Sequence, residues 1–432
     1  MSQPHSVPST NTPRRVLLAR LAGTTIEFFD FYIFATASVL VFPTQFFPAS
    51  DAAAARLQSL ATFALAFFAR PVGSIVFGHF GDRIGRKATL VAALVTMGAS
   101  TVLIGLLPTY ASIGVLAPVL LACCRFGQGF GLGGEWGGAV LLATENAPPG
   151  KRAWYGMFPQ LGAPLGFAAS GGIFLLLSAT LTDAQFLSFG WRIPFLASSV
   201  LVLVGLYVRL KITETPVFQQ TLNQHARVAV PLFTVGRQHA RTLVLGTTMA
   251  LANFVLFYLL IVFCLSWGTS QLGYARGQFL FFQLTGILFF ALTIPASALL
   301  ADRYGRRLVM ILVTSGILLF GLVFGTWFSA GQTGVLVTLI VGLTLMGFTY
   351  GPLGTLLSEL FPTAVRYTGS SLCFNLSGIF GASLAPYAAT RLATKFGLPA
   401  VGWYLSGAAL LTLLALALSR ETRDTDYAGK GA

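Results

Sequence analysis

Gly81-Asp82-Arg83-Ile84-Gly85-Arg86-Lys87 is a polar island between two apolar runs, and Ala301-Asp302-Arg303-Tyr304-Gly305-Arg306-Arg307 repeats it 220 residues later. That offset is close to half of the 432-residue chain. A second pair of segments keeps nearly the same spacing: Glu145 to Gly156, with Pro148 and Arg152, is echoed by Glu359 to Gly369, with Pro362 and Arg366. Two loops repeated at one period predict a chain built from two similar halves.

The runs around these islands set the solvent. Only 9% of residues are charged while 55% are hydrophobic, with 38 Phe; soluble proteins carry about 25% charged residues. No water-facing surface can be made from that supply, and disordered, collagen-like and disulfide-scaffold classes fail for the same composition. With about 20 apolar residues per span, twelve segments can be read: 16–41, 57–80, 88–107, 113–142, 153–178, 192–210, 241–266, 278–300, 308–328, 334–358, 367–390 and 399–419. The expected organisation is a tail at 1–15, a first half at 16–210, a linker at 211–240, a second half at 241–419 and a tail at 420–432. With the N-terminus placed in the cytoplasm, 20 Lys and Arg fall on the cytoplasmic side and 5 on the other. This is the positive-inside asymmetry, so both termini are expected in the cytoplasm. It also accounts for the +14 net charge without nucleic acid as a partner.

Two motifs mislead. Gly129-x-Gly131-x-x-Gly134 matches a dinucleotide fingerprint by letter, but no strand precedes it. Within a membrane helix, Gly127/Gly131 and Gly129/Gly133 are small-residue pairs that permit close helix contact. Nor does the first island have phosphate-loop spacing, so an ion gradient is the expected energy source. The four Cys show no metal-ligand spacing, and neither a metal nor a cofactor is expected.

The sequence resembles the major facilitator superfamily through Asp-Arg-x-Gly-Arg-Arg/Lys after segments two and eight and through Arg125-x-x-Gln128-Gly129-x-Gly131. Further segments are similar to its metabolite:proton symporter branch, the carriers of shikimate, α-ketoglutarate, citrate and proline or betaine. They are Glu27-Phe28-Phe29-Asp30-Phe31, Arg70-Pro71-Val72-Gly73, Gly133-Gly134-Glu135-Trp136, Gly190-Trp191-Arg192-Ile193-Pro194-Phe195, Glu214-Thr215-Pro216-Val217-Phe218 and Glu359-Leu360-Phe361-Pro362-Thr363. The resemblance implies an all-α integral membrane fold of twelve helices in two pseudo-symmetric six-helix halves. It also implies a monomeric secondary transporter in the bacterial inner membrane, not an enzyme, working by alternating access. A further implication is a charge latch in the loops, for which Asp82, Arg83, Arg86, Glu135, Glu145, Asp302, Arg303 and Arg306 are the candidates.

Ionisable residues at membrane depth carry the functional reading, because each costs about 2.5–3.5 kcal/mol there and normally has a pathway or pairing role. Glu27, Asp30, Arg70, Arg125 and Glu135 all fall in the first half. Glu27 and Asp30, three residues apart, share a helix face. They are expected to couple transport to protons, or, in the plainer reading, to brace helices against an Arg. Arg125 and Arg70 are candidates for a substrate carboxylate, which an Arg can bind through two parallel hydrogen bonds; Arg70, before Pro71, can equally be structural. Tyr32, Gln128, Asn253, Tyr258, Gln283, Tyr350 and Asn375 would add uncharged polar contacts. The expectation is a small organic acid carried with a proton as the coupling ion. A zwitterion carrier, or a facilitator or exchanger of organic acids, is the alternative.

Overall fold

In hydrocarbon, a spanning chain must satisfy its peptide groups within each segment, and among the described residues every regular element is helical. The computed structural model describes residues 13–47, 51–84, 86–133, 136–145, 147–211, 231–363 and 365–423. Six long helices form the first half: α1 (Pro13–Leu40), α2 (Ala52–Ile84), α3 (Arg86–Leu106), α4 (Leu116–Glu145), α5 (Arg152–Thr180) and α6 (Arg192–Lys211). Six more form the second: α7 (Ala240–Ser270), α8 (Arg276–Tyr304), α9 (Arg306–Phe328), α10 (Gly331–Glu359), α11 (Arg366–Phe396) and α12 (Leu398–Ala417). Among the described residues, nine are long and apolar enough to span a bilayer, and α6 makes a tenth with the bent segment Asp183–Gly190 before it. The remaining two are α1, whose apolar run is interrupted by Glu27 and Asp30, and α3, whose described apolar stretch is the shorter Val91–Leu106.

The apolar segments of the sequence fall on these helices, yet several helices run past them. α2 continues to Ile84 and α8 to Tyr304, so Asp82 and Asp302 occupy last helical turns rather than loops. Hydropathy marks where hydrocarbon ends; the helix continues into water until a residue breaks it. Between α8 and α9 that residue is Gly305, at φ 101°, a conformation that side-chain-bearing residues rarely adopt. Of the expected linker, 212–230 lies outside the described residues, and the short helix Pro231–Gln238 seats Val235 in the core.

Within the halves, α1 packs on α5, α2 on α4, α3 on α6, α8 on α10 and α9 on α12. Between them, α5 meets α8 and α2 meets α11, giving two seams with the core between. Leu292, Leu312, Leu322, Trp403 and Leu418 are each more than half exposed, which is the condition of side chains facing lipid.

The α2–α4 crossing explains the Gly-rich run. A Cβ on Gly129 would strike the Ala66 backbone, and one on Gly133 the Arg70 backbone, whereas Gly131 faces Ala93 and Met97 on α3. The motif therefore packs two neighbours against two faces of α4. Gly133→Ala should lower the unfolding midpoint of purified protein, in keeping with the typical ~1–3 kcal/mol cost of overpacking. Gly172→Ala, at a helical position with open space around it, should leave the midpoint unchanged or raise it slightly.

Candidate transport site

Seven helices converge on one central cavity. Tyr32 and Phe28 come from α1, Arg70 from α2 and Ala163 from α5. Asn253, Phe254, Phe257 and Tyr258 come from α7, Phe290 from α8, Met346 and Tyr350 from α10, and Phe374 from α11. Its volume is about 20 Å³, room for about one water, so both halves are closed around it. Aromatic contacts cross the seam here: Tyr32 lies 5.6 Å from Phe257, and Trp136 stacks on Phe374 at 3.6 Å.

Arg70 is the cation on the wall. It is 3% exposed, and its guanidinium carbon lies 4.5 Å from the Phe31 ring and 4.7 Å from Phe67. Its Nε has no partner. Desolvated cation–π contacts are worth about 2 kcal/mol, which eases but does not neutralise a buried charge. No acidic side chain lines the cavity among the described residues.

Behind this wall sits a second layer built inside the first half. The Asp30 carboxylate is fully buried and accepts from Ser198 of α6 at 2.5 Å and Thr101 of α3 at 3.3 Å. Gln128 of α4 donates to Thr101 at 2.8 Å and accepts from Arg125 at 3.0 Å. Arg125, with rings of Phe31 and Phe34 4.2 and 4.1 Å away, also donates to the Phe63 carbonyl at 3.3 Å, and its second terminal nitrogen is unpartnered. Carboxylate and guanidinium are thus linked through Thr101 and Gln128. Phe31, in contact with both Arg70 and Arg125, joins this layer to the cavity. Glu27 is buried one turn before Asp30, and Glu135 lies outside the described residues.

Of the expected polar contacts, Tyr32, Asn253, Tyr258 and Tyr350 reach the cavity with Arg70, and Arg125 and Gln128 stand behind it. Gln283 works elsewhere. Its amide donates to the Leu260 and Ile261 carbonyls at 3.0 and 2.9 Å, inside the π-helical turn Leu259–Phe263 of α7, whose wider pitch loosens the helical ladder. Asn375 donates to Ser74 at 3.1 Å, a bond from α11 to α2 across the seam.

One face of the bundle is clamped. Arg306 pairs with Asp302 at 3.1 Å and with Glu359 at 3.2 Å, and Arg152 approaches Glu359 at 3.7 Å from the first half. Asp302 in turn accepts from the backbone of Ala153 and Trp154, both at 2.9 Å. It therefore places a carboxylate on the free N–H groups that begin α5, where the helix dipole favours it. The repeat makes the clamp reciprocal: Glu359 faces Arg152 while Glu145 faces Arg366 at 3.7 Å. The tail folds under it, with Thr422 donating to Glu359 at 2.7 Å and Glu421 accepting from the Arg306 and Arg307 backbone. Arg303 instead lies exposed over the Tyr304 ring. The side chains of Asp82, Arg83 and Arg86 lie outside the described residues. At the opposite face, Arg276 of α8 reaches Asp183 at 3.1 Å and Ser178 at 2.8 Å in the first half.

Sequence reasoning passed over Arg152, Arg366 and Glu359 as site residues, although the second repeated pair already contained them. Nothing in the sequence marked Ser198, Thr101 or Thr422, which are single hydroxyls whose partners are far away in the chain.

A central cavity between two similar halves, closed by separate contacts at each face, defines a carrier. The chain belongs to the sugar (and other) transporter family, whose profile it matches over residues 16–230 and 229–419. It is 57% identical over 419 residues to the inner membrane metabolite transport protein YhjE of Escherichia coli K12, covering 96% of this chain and 95% of that protein. It is 35% identical to the shikimate transporter of the same organism, with 96% of each covered. Among solved structures, a D-xylose–proton symporter superposes with a TM-score of 0.75 at 18% identity, over 95% of this chain and 98% of that one. The chain is therefore a transporter of the major facilitator fold that carries a small molecule.

Glu359→Gln should release the clamp. Removing one partner of a buried ion pair costs about 3–5 kcal/mol, here in the closed state alone. Spin labels at Lys151 and Arg303, on the two halves at the clamped face, should give a longer mean distance in the variant than in the parent.

Proposed function

We propose that this chain carries a small carboxylate-bearing metabolite together with protons, by alternating access of the central cavity to the two sides. One observation carries the reading: Arg70 is a buried guanidinium on the cavity wall with an unpartnered N–H and no acid beside it among the described wall residues. A substrate carboxylate supplies the missing charge. Asp30, held by hydroxyls behind the wall, is a carboxyl that can take a proton without leaving the protein. Its link through Thr101 and Gln128 to Arg125, and through Phe31 to Arg70, provides a route by which substrate and proton sense one another. The similarity to a relative named as an inner membrane protein and the 20-to-5 split of Lys and Arg support an inner-membrane location. On the same split, the clamped face and both termini are cytoplasmic. The chain works as a monomer with the proton as its coupling ion and without a cofactor.

The rings that line the cavity favour a second reading, a betaine-type zwitterion whose quaternary ammonium would sit against aromatic faces.

Asp30→Asn should abolish concentrative uptake into proteoliposomes under a proton gradient while preserving exchange of labelled substrate. Exchange needs only the loaded carrier to reorient; net uptake needs a proton to bind and leave. Accumulation at the parental level would refute the assignment. Arg70→Lys keeps the charge but loses the planar fork. It should weaken binding of the acid by about 10- to 100-fold and binding of its amide far less, measured by ligand-induced thermal shift. If the unaltered protein binds acid and amide equally, the carboxylate is not the recognised group.

A further inference from the structure

The cavity holds a second unpartnered polar atom, and it lies on the other half. Asn253 of α7 is 2% exposed, and its Oδ1 accepts from the Thr349 hydroxyl at 2.7 Å. That bond fixes the amide plane and leaves Nδ2 without an acceptor. A buried donor with no partner is costly, and on a cavity wall it is a place where a bound ligand gains by completing it.

The two unpartnered wall atoms, Arg70 Nε and Asn253 Nδ2, are both donors, and they belong to opposite halves. Tyr32, Tyr258 and Tyr350 can donate or accept, so they do not discriminate. We infer that the substrate is a compact carboxylate with a second hydrogen-bond acceptor, a hydroxyl, carbonyl or further carboxylate, which it presents to Asn253 while its carboxylate meets Arg70. This rests on the reading of Arg70 as the carboxylate contact and adds the class of molecule that the site selects. A betaine satisfies Arg70 and leaves Asn253 bare. A primary or secondary ammonium does worse, because it brings donors to a wall that offers a donor and a cation.

The inference also gives the second acceptor a mechanical role. A ligand bonded at Arg70 and at Asn253 ties α2 to α7, so it draws the halves together as it binds. A monocarboxylate without the second group would bind to the first half only.

The test uses purified full-length protein and matched pairs of acids: shikimate against cyclohex-1-ene-1-carboxylate, 3-hydroxybenzoate against benzoate, and glutarate against pentanoate. Glycine betaine, proline and the amide of each acid complete the set. Ligand-induced stabilisation reports affinity through mass action. In the pair that the cavity accommodates, the acceptor-bearing member should bind on the order of 10- to 100-fold more tightly. Asn253→Ala should shrink that ratio to about threefold or less while keeping the preference for acid over amide. Thr349→Val, which frees the amide without removing it, should reduce the ratio in the same direction and serves if the first variant is poorly folded. Ratios near one in the unaltered protein would overturn the inference, as would a ratio unchanged in both variants. Tightest binding of glycine betaine would overturn it too. If instead no acid binds better than its amide, the carboxylate reading itself fails; acids that bind well without regard to the second acceptor refute only the present step.

Discussion

Lipid supplies neither counter-ions nor hydrogen bonds, so each charge this chain buries must be accommodated by the protein. That constraint organises the molecule. At the clamped face, where the helices have run past the hydrocarbon, the charges meet directly, Asp302 and Glu359 on Arg306 and Glu359 towards Arg152. In the middle of the bundle the constraint produces a different solution, with Arg70 and Arg125 against phenylalanine rings and Asp30 among hydroxyls. There Asp30 and Arg125 share a layer and are joined through Thr101 and Gln128, with Arg70 on the wall in front of them. Rings and neutral dipoles lower the cost of burying these groups without neutralising their charge.

Much of this architecture was legible in the residues. The repeated islands and the twelve apolar runs fixed the two-half plan, since hydrocarbon thickness and backbone satisfaction leave little else for such a composition. The five intramembrane charges were equally visible, because a charge in an apolar run announces itself. What the sequence could not convey was depth and direction. Arg70 and Arg125 look alike in one dimension, and only the packing of α2 and α4 puts the first on the wall and the second behind it. Gln283 illustrates the same limit: a lone amide in an apolar helix suggests a ligand contact, but its donors serve two carbonyls in a turn of α7 whose widening no local pattern foretells.

Pseudo-symmetry also explains why the clamp joins the halves. A loop duplicated with its acid and its base can pair with its own copy only by exchange, the acid of each half meeting the base of the other. The arrangement is the intramolecular counterpart of a two-fold dimer contact, and both exchanged pairs use the same residue types, a Glu and an Arg.

The two exchanged pairs are nonetheless unequal in their surroundings. Glu145 has 46% of its side chain exposed, while that of Glu359 is fully buried. Dissolved ions screen the first attraction and barely reach the second. Raising ionic strength at that face therefore weakens one strap of the clamp more than the other, so the two sides of a symmetric contact differ in their dependence on salt.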